Sequence, residues 1–461
     1  MIRFSRIKKL HFVGIGGSGM SGIAEVLNNM GFIVSGSDIA ESKVISRLRK
    51  SGIKIYIGHS GENIRDSETL IYSSAINSDN VEIKAARENN IPIIPRAEML
   101  AELMRVKYSI SIAGTHGKTT TTSMIATILS EAGKDPTYVV GGKLMMQESG
   151  AKLGKSNFLV AEADESDGSF LQLFPTIAVI TNIENDHLDY YGSMENLIKA
   201  FESFGNKVPF YGLVVINADC KNSEKVIKNL NKRVITFGLS DDADIRAKEI
   251  KTDVKGTSYK LIINGKKEGT VKMKIGGIHN VMNSLASIAA SIESGIDLET
   301  VKNGLMEFCL PERRFQKLYD SNGILVVDDY AHHPTEIKAA LSILSGSEYK
   351  RVIAVFQPHR YTRLKLLMKE FAESFDVVDK LIIAKLYSAN QKEIKDVNSG
   401  RLTELVKSYG IKDVIYIEDF DEIAKYLLSI VKKSDAIIFL SAGNLTKTAH
   451  EFGNSLRERI K

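Results

Sequence analysis

Short apolar runs that end at glycine or at polar residues recur along this chain, and they limit its fold more than any other feature. Six of these runs have the length of a buried strand. They cover residues 10–13, 110–113, 177–180, 213–216, 324–327 and 352–356. Segments with helical spacing lie between many of them. Because alternating strands and helices build parallel sheets covered by helices, the pattern predicts an α/β fold with mostly parallel sheets rather than a β-sandwich.

The length of 461 residues predicts two to four domains, since a domain has roughly 100–200 residues. We expect three. A polar stretch at residues 95–98 ends the first domain, and another at residues 310–315 precedes a second strand-rich region. The predicted domains are therefore residues 1–103, 104–311 and 312–461.

Composition excludes several classes of protein. Basic and acidic residues alternate along the chain, so a formal net charge of +5 does not predict nucleic-acid binding. Two cysteines, Cys220 and Cys309, are too few for a disulfide framework or a metal site, which favours a reducing cytoplasm. The N-terminus has no apolar signal sequence and no segment has the apolar length of a membrane span, so we expect neither export nor membrane insertion.

A glycine loop directly follows the run at 110–113 and precedes a segment with helical spacing, residues 123–129. The loop consists of Gly114, Thr115, His116, Gly117, Lys118, Thr119 and Thr120. Glycines let backbone N–H groups face a polyphosphate, Lys118 can neutralise β and γ oxygens, and the Thr119 hydroxyl can hold Mg²⁺. The order of strand, loop and helix predicts a nucleotide site. The alternative is a glycine turn beside an exposed lysine.

A second glycine loop follows the first strand, and Asp38 ends the next strand about twenty residues later. The loop contains Gly14, Gly16, Gly17, Ser18, Gly19 and Met20. A pyrophosphate can bind at a helix that begins near Ser18, which fits either NAD or a UDP-sugar. Since a separate ATP loop lies downstream, we prefer the UDP-sugar. A purely structural tight turn is the alternative.

Carboxylates and histidines gather in further polar motifs. Residues 160–170 and 181–189 are expected at the carboxyl ends of strands, where their carboxylates and an imidazole could meet a metal bound by the phosphate loop. Three more motifs, at residues 276–283, 328–336 and 356–363, combine histidine with Gly, Asp, Asn or Arg. Taken one at a time, each motif could also be a solvated loop or a cap before a helix.

Taken in order, these motifs resemble the Mur ligase family over nearly the whole chain. They read GTHGKTTT, EADESD, TNIENDHLD, HNVMN, RRF, DDYAHHPTE and HRYTR. The resemblance implies an ATP-dependent ligase of peptidoglycan precursor synthesis with a Rossmann-like UDP-sugar domain, a central P-loop ATP domain and a Rossmann-like C-terminal domain for the amino acid. The first glycine loop is similar to that of the family member that joins L-alanine to UDP-N-acetylmuramate. The member that recycles whole peptides usually lacks it.

The resemblance also implies roles for individual residues. It assigns Mg²⁺ to Thr119, Glu162 and His187, the adenine to Asn280 and Asn283, the ATP phosphates to Lys118 and Arg314, and the nucleotide ribose to Asp329. It assigns alanine and the lactyl carboxylate of the sugar to Tyr330, His332, His359, Arg360 and Arg363. Ser74 joins the first glycine loop on the UDP-sugar. The catalytic residues would be Lys118, His187, Arg314 and His332.

The chain departs from the family pattern at one position. Several relatives carry a carbamylated lysine somewhat after the metal histidine, whereas Phe201 and Glu202 occupy that region here. A carbamylated metal ligand is therefore not expected, and Glu202 is the candidate to replace it.

The implied reaction requires several cations around the transferring phosphoryl group, because a carboxylate has to attack a triphosphate that is already negatively charged. We expect an acyl phosphate that the alanine amine then attacks, with His332 or a carboxylate as general base. Closure of the domains about hinges near residues 103 and 311 would exclude water from the site.

We expect a monomer or a weak homodimer. The rivals are an NAD-dependent oxidoreductase, a nucleotide-binding regulatory module and the peptide-recycling ligase.

Overall fold

The structure, a computed structural model, describes residues 7–73, 75–140, 151–411 and 413–459. Ser74, predicted to bind the UDP-sugar, lies outside these residues. The chain forms two compact units. The first comprises residues up to 249, 259–272 and 281–308, and the second comprises residues 250–258, 273–280 and those from 309 onward.

The N-terminal sheet has five parallel strands in the order β3-β2-β1-β4-β5. The strands are β1 (Lys9–Val13), β2 (Ile33–Asp38), β3 (Lys54–Ile57), β4 (Thr69–Tyr72) and β5 (Ile93–Pro95). The helices are α1 (Ser18–Asn29), α2 (Lys43–Lys50), α3 (Val81–Glu88) and α4 (Arg96–Arg105). The order reverses direction at β1, as in Rossmann-like folds, which places the loop after β1 at the crevice where ligands bind.

Within the described ranges, the central sheet has ten strands in the order β15-β14-β13-β12-β11-β10-β6-β9-β7-β8. They are β6 (Tyr108–Ala113), β7 (Thr137–Val139), β8 (Ala151–Lys152), β9 (Phe158–Glu162), β10 (Ile177–Ile180), β11 (Leu213–Asn217), β12 (Val234–Gly238), β13 (Ile245–Asp253), β14 (Gly256–Ile263) and β15 (Lys266–Met273). Its helices are α5 (Lys118–Glu131), α6 (Leu188–Tyr191), α7 (Met194–Asn206), α8 (Ser223–Lys228), α9 (Ile278–Glu293) and α10 (Leu298–Glu307). Strand β6 pairs in parallel with both β9 and β10, so the loops after these three strands meet at one edge.

The C-terminal sheet has six strands in the order β16-β17-β21-β18-β19-β20, and only β16 runs antiparallel to its neighbour. They are β16 (Gln316–Ser321), β17 (Ile324–Asp329), β18 (Arg351–Phe356), β19 (Lys380–Ile383), β20 (Val414–Tyr416) and β21 (Asp435–Leu440). The helices are α11 (Pro334–Leu344), α12 (Tyr361–Leu366), α13 (Met368–Ala372), α14 (Ser399–Ser408), α15 (Phe420–Ile430) and α16 (Thr446–Arg459).

Burial explains why the apolar runs form these strands. Every residue of β10, β11, β17 and β21 is buried, as expected for strands of parallel sheets that helices cover on both faces. All six predicted strands are present, each within two residues of its predicted ends. The prediction of an α/β fold with mostly parallel sheets is therefore confirmed.

The predicted domain boundaries fall at different kinds of place. Residue 103 lies inside α4, whereas residue 311 lies between α10 and β16. Both boundaries, and the hinges placed there, stay predictions. Among the described residues, no helix combines the length and the apolar character needed to cross a membrane.

Candidate functional site

The phosphate loop joins β6 to α5, and two of its glycines are required by geometry. Gly114 has a φ of +133°, and a Cβ there would lie 2.1 Å from the Thr181 hydroxyl oxygen. Gly117 caps α5 in the left-handed region, with a φ of +84°. Residues other than glycine rarely adopt these backbone angles. The loop can therefore approach the segment after β10 only because both positions are glycine.

The segment after β10 holds the loop in shape. Asn182 accepts hydrogen bonds from the backbone N–H of Thr115 (3.1 Å, to its carbonyl) and of His116 (2.9 Å, to Oδ1). The Thr181 hydroxyl donates to the His116 carbonyl at 2.6 Å. The backbone N–H of Glu184 donates to the Thr115 hydroxyl at 2.9 Å. The predicted nucleotide loop and the predicted acidic motif therefore form one framework.

Lys118, the first residue of α5, turns its ammonium back into the loop. Nζ donates to the Gly114 carbonyl at 2.6 Å and lies 2.9 Å from Glu165 Oε1. Burial alone would lower the pKa of Lys118, but the attraction of Glu165 and Asp164 outweighs burial and raises it. Lys118 is therefore a fixed positive charge at the helix N-terminus, where a phosphate would also be favoured by the backbone N–H groups.

The predicted metal ligands lie on elements that meet at this edge of the sheet. Thr119 is in the first turn of α5, Glu162 is the last residue of β9, and His187 follows β10 with a φ of +59°. His187 Nε2 lies 3.5 Å from Asp186 Oδ2 and 3.9 Å from Glu165 Oε1. Hydroxyl and carboxylate oxygens are the donors that Mg²⁺ prefers, so Thr119 and Glu162 fit that ion, and the His187 imidazole would be its nitrogen neighbour.

The region where relatives carry a carbamylated lysine lies on α7. Phe201 is fully buried and packs against Phe170 with ring centroids 5.3 Å apart. The Glu202 carboxylate accepts a hydrogen bond from Asn229 Nδ2 at 2.7 Å. Because Glu202 already has this partner on the surface of α7, we do not propose it as a metal ligand.

The two asparagines predicted near adenine both lie on α9. Asn283 Oδ1 accepts from the Thr121 hydroxyl at 3.3 Å and would meet a Cβ at Gly117 at 2.4 Å. Asn283 therefore lines the phosphate loop itself. Asn280 is buried in the first turn of the helix, and its Nδ2 donates to the Gly276 carbonyl at 2.7 Å.

The first glycine loop is closed by Asp38. The Gly16 N–H donates to Asp38 Oδ2 at 2.8 Å, and the N–H groups of Gly14 and Ile15 donate to the Ser37 carbonyl. Gly17 precedes the first turn of α1, which contains Ser18, Gly19 and the buried Met20. Asp38 thus fixes the loop through its backbone in this structure.

A cation lies beside the same helix N-terminus. A Cβ at Gly19 would meet the Arg96 guanidinium at 2.3 Å, and Arg96 Nη2 lies 3.7 Å from Asp164 Oδ2. Arg96 and Pro95 also line a cavity of about 340 Å³ together with Tyr72, Gly168 and Tyr190. Sequence reasoning missed Arg96, although it begins α4 within the polar stretch used to place a domain boundary.

In the C-terminal sheet, an arginine pair stacks on Tyr330. The guanidinium carbons of Arg313 and Arg314 lie 4.9 and 5.3 Å from the ring centroid. The Asp329 carboxylate accepts hydrogen bonds from the N–H groups of Phe315 at 2.6 Å and Ala331 at 2.7 Å. Asp329 therefore holds the arginine-bearing segment against the end of β17.

Asp329 should make stability depend on pH. Burial raises its pKa from 3.8 to about 6, against the opposing attraction of Arg314. The native state then binds more protons than the unfolded state between about pH 4 and pH 6, so the free energy of unfolding falls as pH rises through this window. We expect Asp329→Asn to remove that fall, measured by urea unfolding at several pH values. Parallel curves for the two proteins would contradict this prediction.

The predicted alanine-site histidines contact one another. The rings of His332 and His359 have centroids 5.6 Å apart, and His359 stacks on Tyr387 at 5.4 Å. Burial lowers the pKa of His359 to about 3, and the charges of His332 and Arg363 act in the same direction. Arg363 Nη1 lies 3.3 Å from His359 Nδ1, and Arg360 begins this segment with a φ of +70°. His359 is therefore a neutral ring that accepts a hydrogen bond from an arginine.

The tautomer of His332 follows from its contacts. Nδ1 lies 2.9 Å from the Tyr330 carbonyl oxygen and 3.3 Å from Glu336 Oε2, which are both acceptors. Nδ1 therefore carries a proton, and in the neutral ring Nε2 is the nitrogen that can accept one. Glu336 was missed as an individual residue, although the predicted motif at residues 328–336 ends on it.

Comparison with known proteins agrees with these motifs. Three domain models match the chain: Mur ligase family, catalytic domain (residues 9–108), Mur ligase middle domain (112–291) and Mur ligase, glutamate ligase domain (313–443). The UDP-N-acetylmuramate–L-alanine ligase of Geotalea daltonii is 49% identical over 455 residues, with 99% of each chain covered.

Two solved structures are similar along the whole chain. The crystal structure of UDP-N-acetylmuramate-alanine ligase from Thermotoga maritima has a TM-score of 0.82 at 30% identity, covering 98% of this chain and 99% of that chain. A murein peptide ligase from Psychrobacter arcticus has a TM-score of 0.70 at 25% identity, covering 97% and 98%. The extent and identity of these matches lead to one conclusion: the chain belongs to the Mur ligase family.

Proposed function

We propose that this protein uses ATP to join L-alanine to the lactyl carboxylate of UDP-N-acetylmuramate, giving UDP-N-acetylmuramoyl-L-alanine, ADP and phosphate. One observation carries the proposal: a phosphate loop with a partly buried lysine, paired with Glu165, stands in a chain that is 49% identical over 455 residues to a ligase of that name. We further propose that the reaction takes place in the cytoplasm, in a monomer or weak homodimer.

The phosphate loop is the proposed site of the ATP phosphates. Lys118 supplies a positive charge at the N-terminus of α5, and Gly117 leaves the helix N–H groups accessible to phosphate oxygens. Arg314, whose guanidinium carbon lies 5.3 Å from the centroid of the Tyr330 ring, is proposed as a second cation for the ATP phosphates. The protein thereby stabilises charge rather than forming a covalent intermediate, as in other phosphoryl transfers.

Magnesium is the proposed metal, held by Thr119, Glu162 and His187. When bound, the ion would neutralise charge on the β and γ oxygens of ATP. The acidic segment that bears Glu162 is fixed by its own turn, in which Asp164 Oδ1 accepts from the Ser166 N–H at 3.1 Å. This turn orders the chain two residues after Glu162.

Changes to these ligands should weaken metal binding. We expect Glu162→Gln and His187→Ala each to raise the Mg²⁺ concentration needed for half-maximal activity by about 10-fold or more. A Mg²⁺ titration of phosphate release, and of Mn²⁺ binding by electron paramagnetic resonance, measures this. The control is Glu131→Gln, which changes an exposed residue at the end of α5. Unchanged titrations in both variants would remove these residues from the metal site.

The first glycine loop is the proposed site of the UDP pyrophosphate. The N-terminus of α1 and the Arg96 guanidinium together offer backbone N–H groups and a cation to an anion. The neighbouring cavity, lined by Arg96, Gly168 and Tyr190, continues from that cation towards the acidic segment. This arrangement supports a sugar nucleotide that extends from Arg96 to the acidic segment.

The histidine and arginine cluster is the proposed site for alanine. Arg360 and Arg363 can bind a carboxylate, and the neutral His359 ring fixes the direction of Arg363. His332, with Nε2 as its accepting nitrogen, is the proposed base for the alanine amine.

An assay of phosphate release tests the proposal. Release should require UDP-N-acetylmuramate and L-alanine together. Release with the tripeptide L-alanyl-γ-D-glutamyl-meso-diaminopimelate but not with alanine would favour the recycling ligase. Saturable binding of a nicotinamide nucleotide, followed by its absorbance, would favour an oxidoreductase instead.

A further inference from the structure

The ammonium of Lys118 is held by more than the phosphate loop. Of its three possible donors, one is taken by the Gly114 carbonyl at 2.6 Å and one by Glu165 Oε1 at 2.9 Å. A third contact, to the Thr115 carbonyl, is longer, at 3.3 Å. Two short bonds and one long bond leave Lys118 one donor that a phosphate oxygen can take without breaking the other two.

The Glu165 side chain is buried inside the protein rather than exposed on its surface. Its side chain is 2% exposed, and its backbone carbonyl accepts from the buried Tyr191 hydroxyl. Within the described part of the chain, its second oxygen, Oε2, is buried and has no hydrogen-bond partner. Burying a carboxylate is costly unless a cation compensates it, and Lys118 is the cation at hydrogen-bond distance.

We propose that Glu165 is a positioning residue that holds the Lys118 ammonium in the phosphate loop and directs its remaining donor towards the transferring phosphate. The proposal extends the function proposed above, since it assumes that the loop binds ATP. Glu162 stands at the end of the strand, where it is proposed to bind the metal, whereas Glu165 contacts the lysine. The acidic segment therefore has two tasks.

The physical reason is orientation. A lysine has a flexible four-carbon side chain, and its charge is useful only where the transition state develops charge. Without Glu165, the Gly114 carbonyl would fix one donor, and the long contact to the Thr115 carbonyl would be the only other bond to orient the ammonium within the loop. A second bond, to a buried and immobile carboxylate, fixes the direction of the third donor before ATP arrives.

The test combines two measurements on the full chain. The first is kcat and KM for ATP in wild type, Glu165→Gln, Glu165→Asp and the control Glu131→Gln, which removes the same charge from an exposed site on α5. The second is the unfolding temperature, without nucleotide, of wild type, Glu165→Gln, Lys118→Met and the double variant.

A positioning role predicts a fall of about 10-fold or more in kcat for Glu165→Gln. It also predicts a KM for ATP within about threefold of wild type, a smaller loss for Glu165→Asp and no change for Glu131→Gln. Lys118→Met should lower the unfolding temperature, and adding Glu165→Gln should restore part of it, because the buried charge is then removed.

Unchanged kcat in Glu165→Gln would overturn the proposal. So would an equal fall in unfolding temperature from Glu165→Gln with and without Lys118→Met, since Glu165 would then act independently of the lysine. Failure of the function proposed above is distinguishable, because wild type would then release no phosphate while the unfolding measurements would still test the ion pair.

Discussion

Replacing Lys118 with alanine is expected to lower kcat by about 10²-fold or more while leaving the Kd for UDP-N-acetylmuramate within about twofold of wild type. Removing one preorganised charge from a transferring phosphoryl group has an effect of this size. The sugar nucleotide is assigned to the glycine loop after β1 of the N-terminal sheet, whereas Lys118 follows β6 of the central sheet. Phosphate release measures the first quantity and calorimetry the second.

The matched control is Lys134→Ala, which removes an exposed lysine just beyond the end of α5. Because the Lys118 variant leaves Glu165 buried without its cation, its unfolding temperature must be measured in parallel. A kcat near that of wild type in a folded Lys118→Ala protein would remove this residue from the chemistry.

Replacing Gly114 with alanine is expected to cause the second large loss of activity. The φ of +133° is unfavourable for any side chain, and the added carbon would lie 2.1 Å from the Thr181 hydroxyl oxygen and 3.0 Å from the backbone of Asn182. The loop and the segment after β10 must then separate, which moves the phosphate site. We expect activity to fall by about 10²-fold or more and the unfolding temperature to drop.

Gly133→Ala isolates the part of this effect that comes from backbone strain. Gly133 has a φ of +68° and nothing within 4 Å of the position of a Cβ, so the change costs only about 1–2 kcal/mol of left-handed strain. It should lower stability slightly and leave kcat unchanged. Equal effects of the two substitutions on kcat would show that contact between the loop and Thr181 is unimportant.

The fold was predictable because buried parallel strands have a simple sequence pattern. Strands such as β10 and β17 are continuous apolar runs, and each predicted run became a strand. The three strands from β13 to β15 are among the strands that were not predicted. Their residues alternate between buried and exposed, and the turn at Asn264-Gly265 is a hairpin signal that a search for apolar runs overlooks.

From the sequence, residues of the site could be predicted only where they belong to a recognisable motif. The order of strand, glycine loop and helix identified Lys118, and the glycine pattern placed the start of α1 at Ser18. The roles of Glu165 and Asn182 depend on contacts between segments far apart in sequence, such as the bond from His116 to Asn182. Neither the spacing of carboxylates nor composition distinguishes Glu165, which contacts the lysine, from Glu162, which ends the strand.

The central claim, that ATP activates the lactyl carboxylate at the γ-phosphorus, is tested most directly by isotope transfer. UDP-N-acetylmuramate labelled with ¹⁸O in that carboxylate is incubated with ATP, Mg²⁺, L-alanine and the enzyme, and the phosphate is analysed by ³¹P NMR. An acyl phosphate predicts one labelled oxygen in the inorganic phosphate, because amide formation breaks the bond between the carbonyl carbon and that oxygen. Label in AMP, with release of pyrophosphate, would contradict the account and the roles proposed for Lys118 and Arg314.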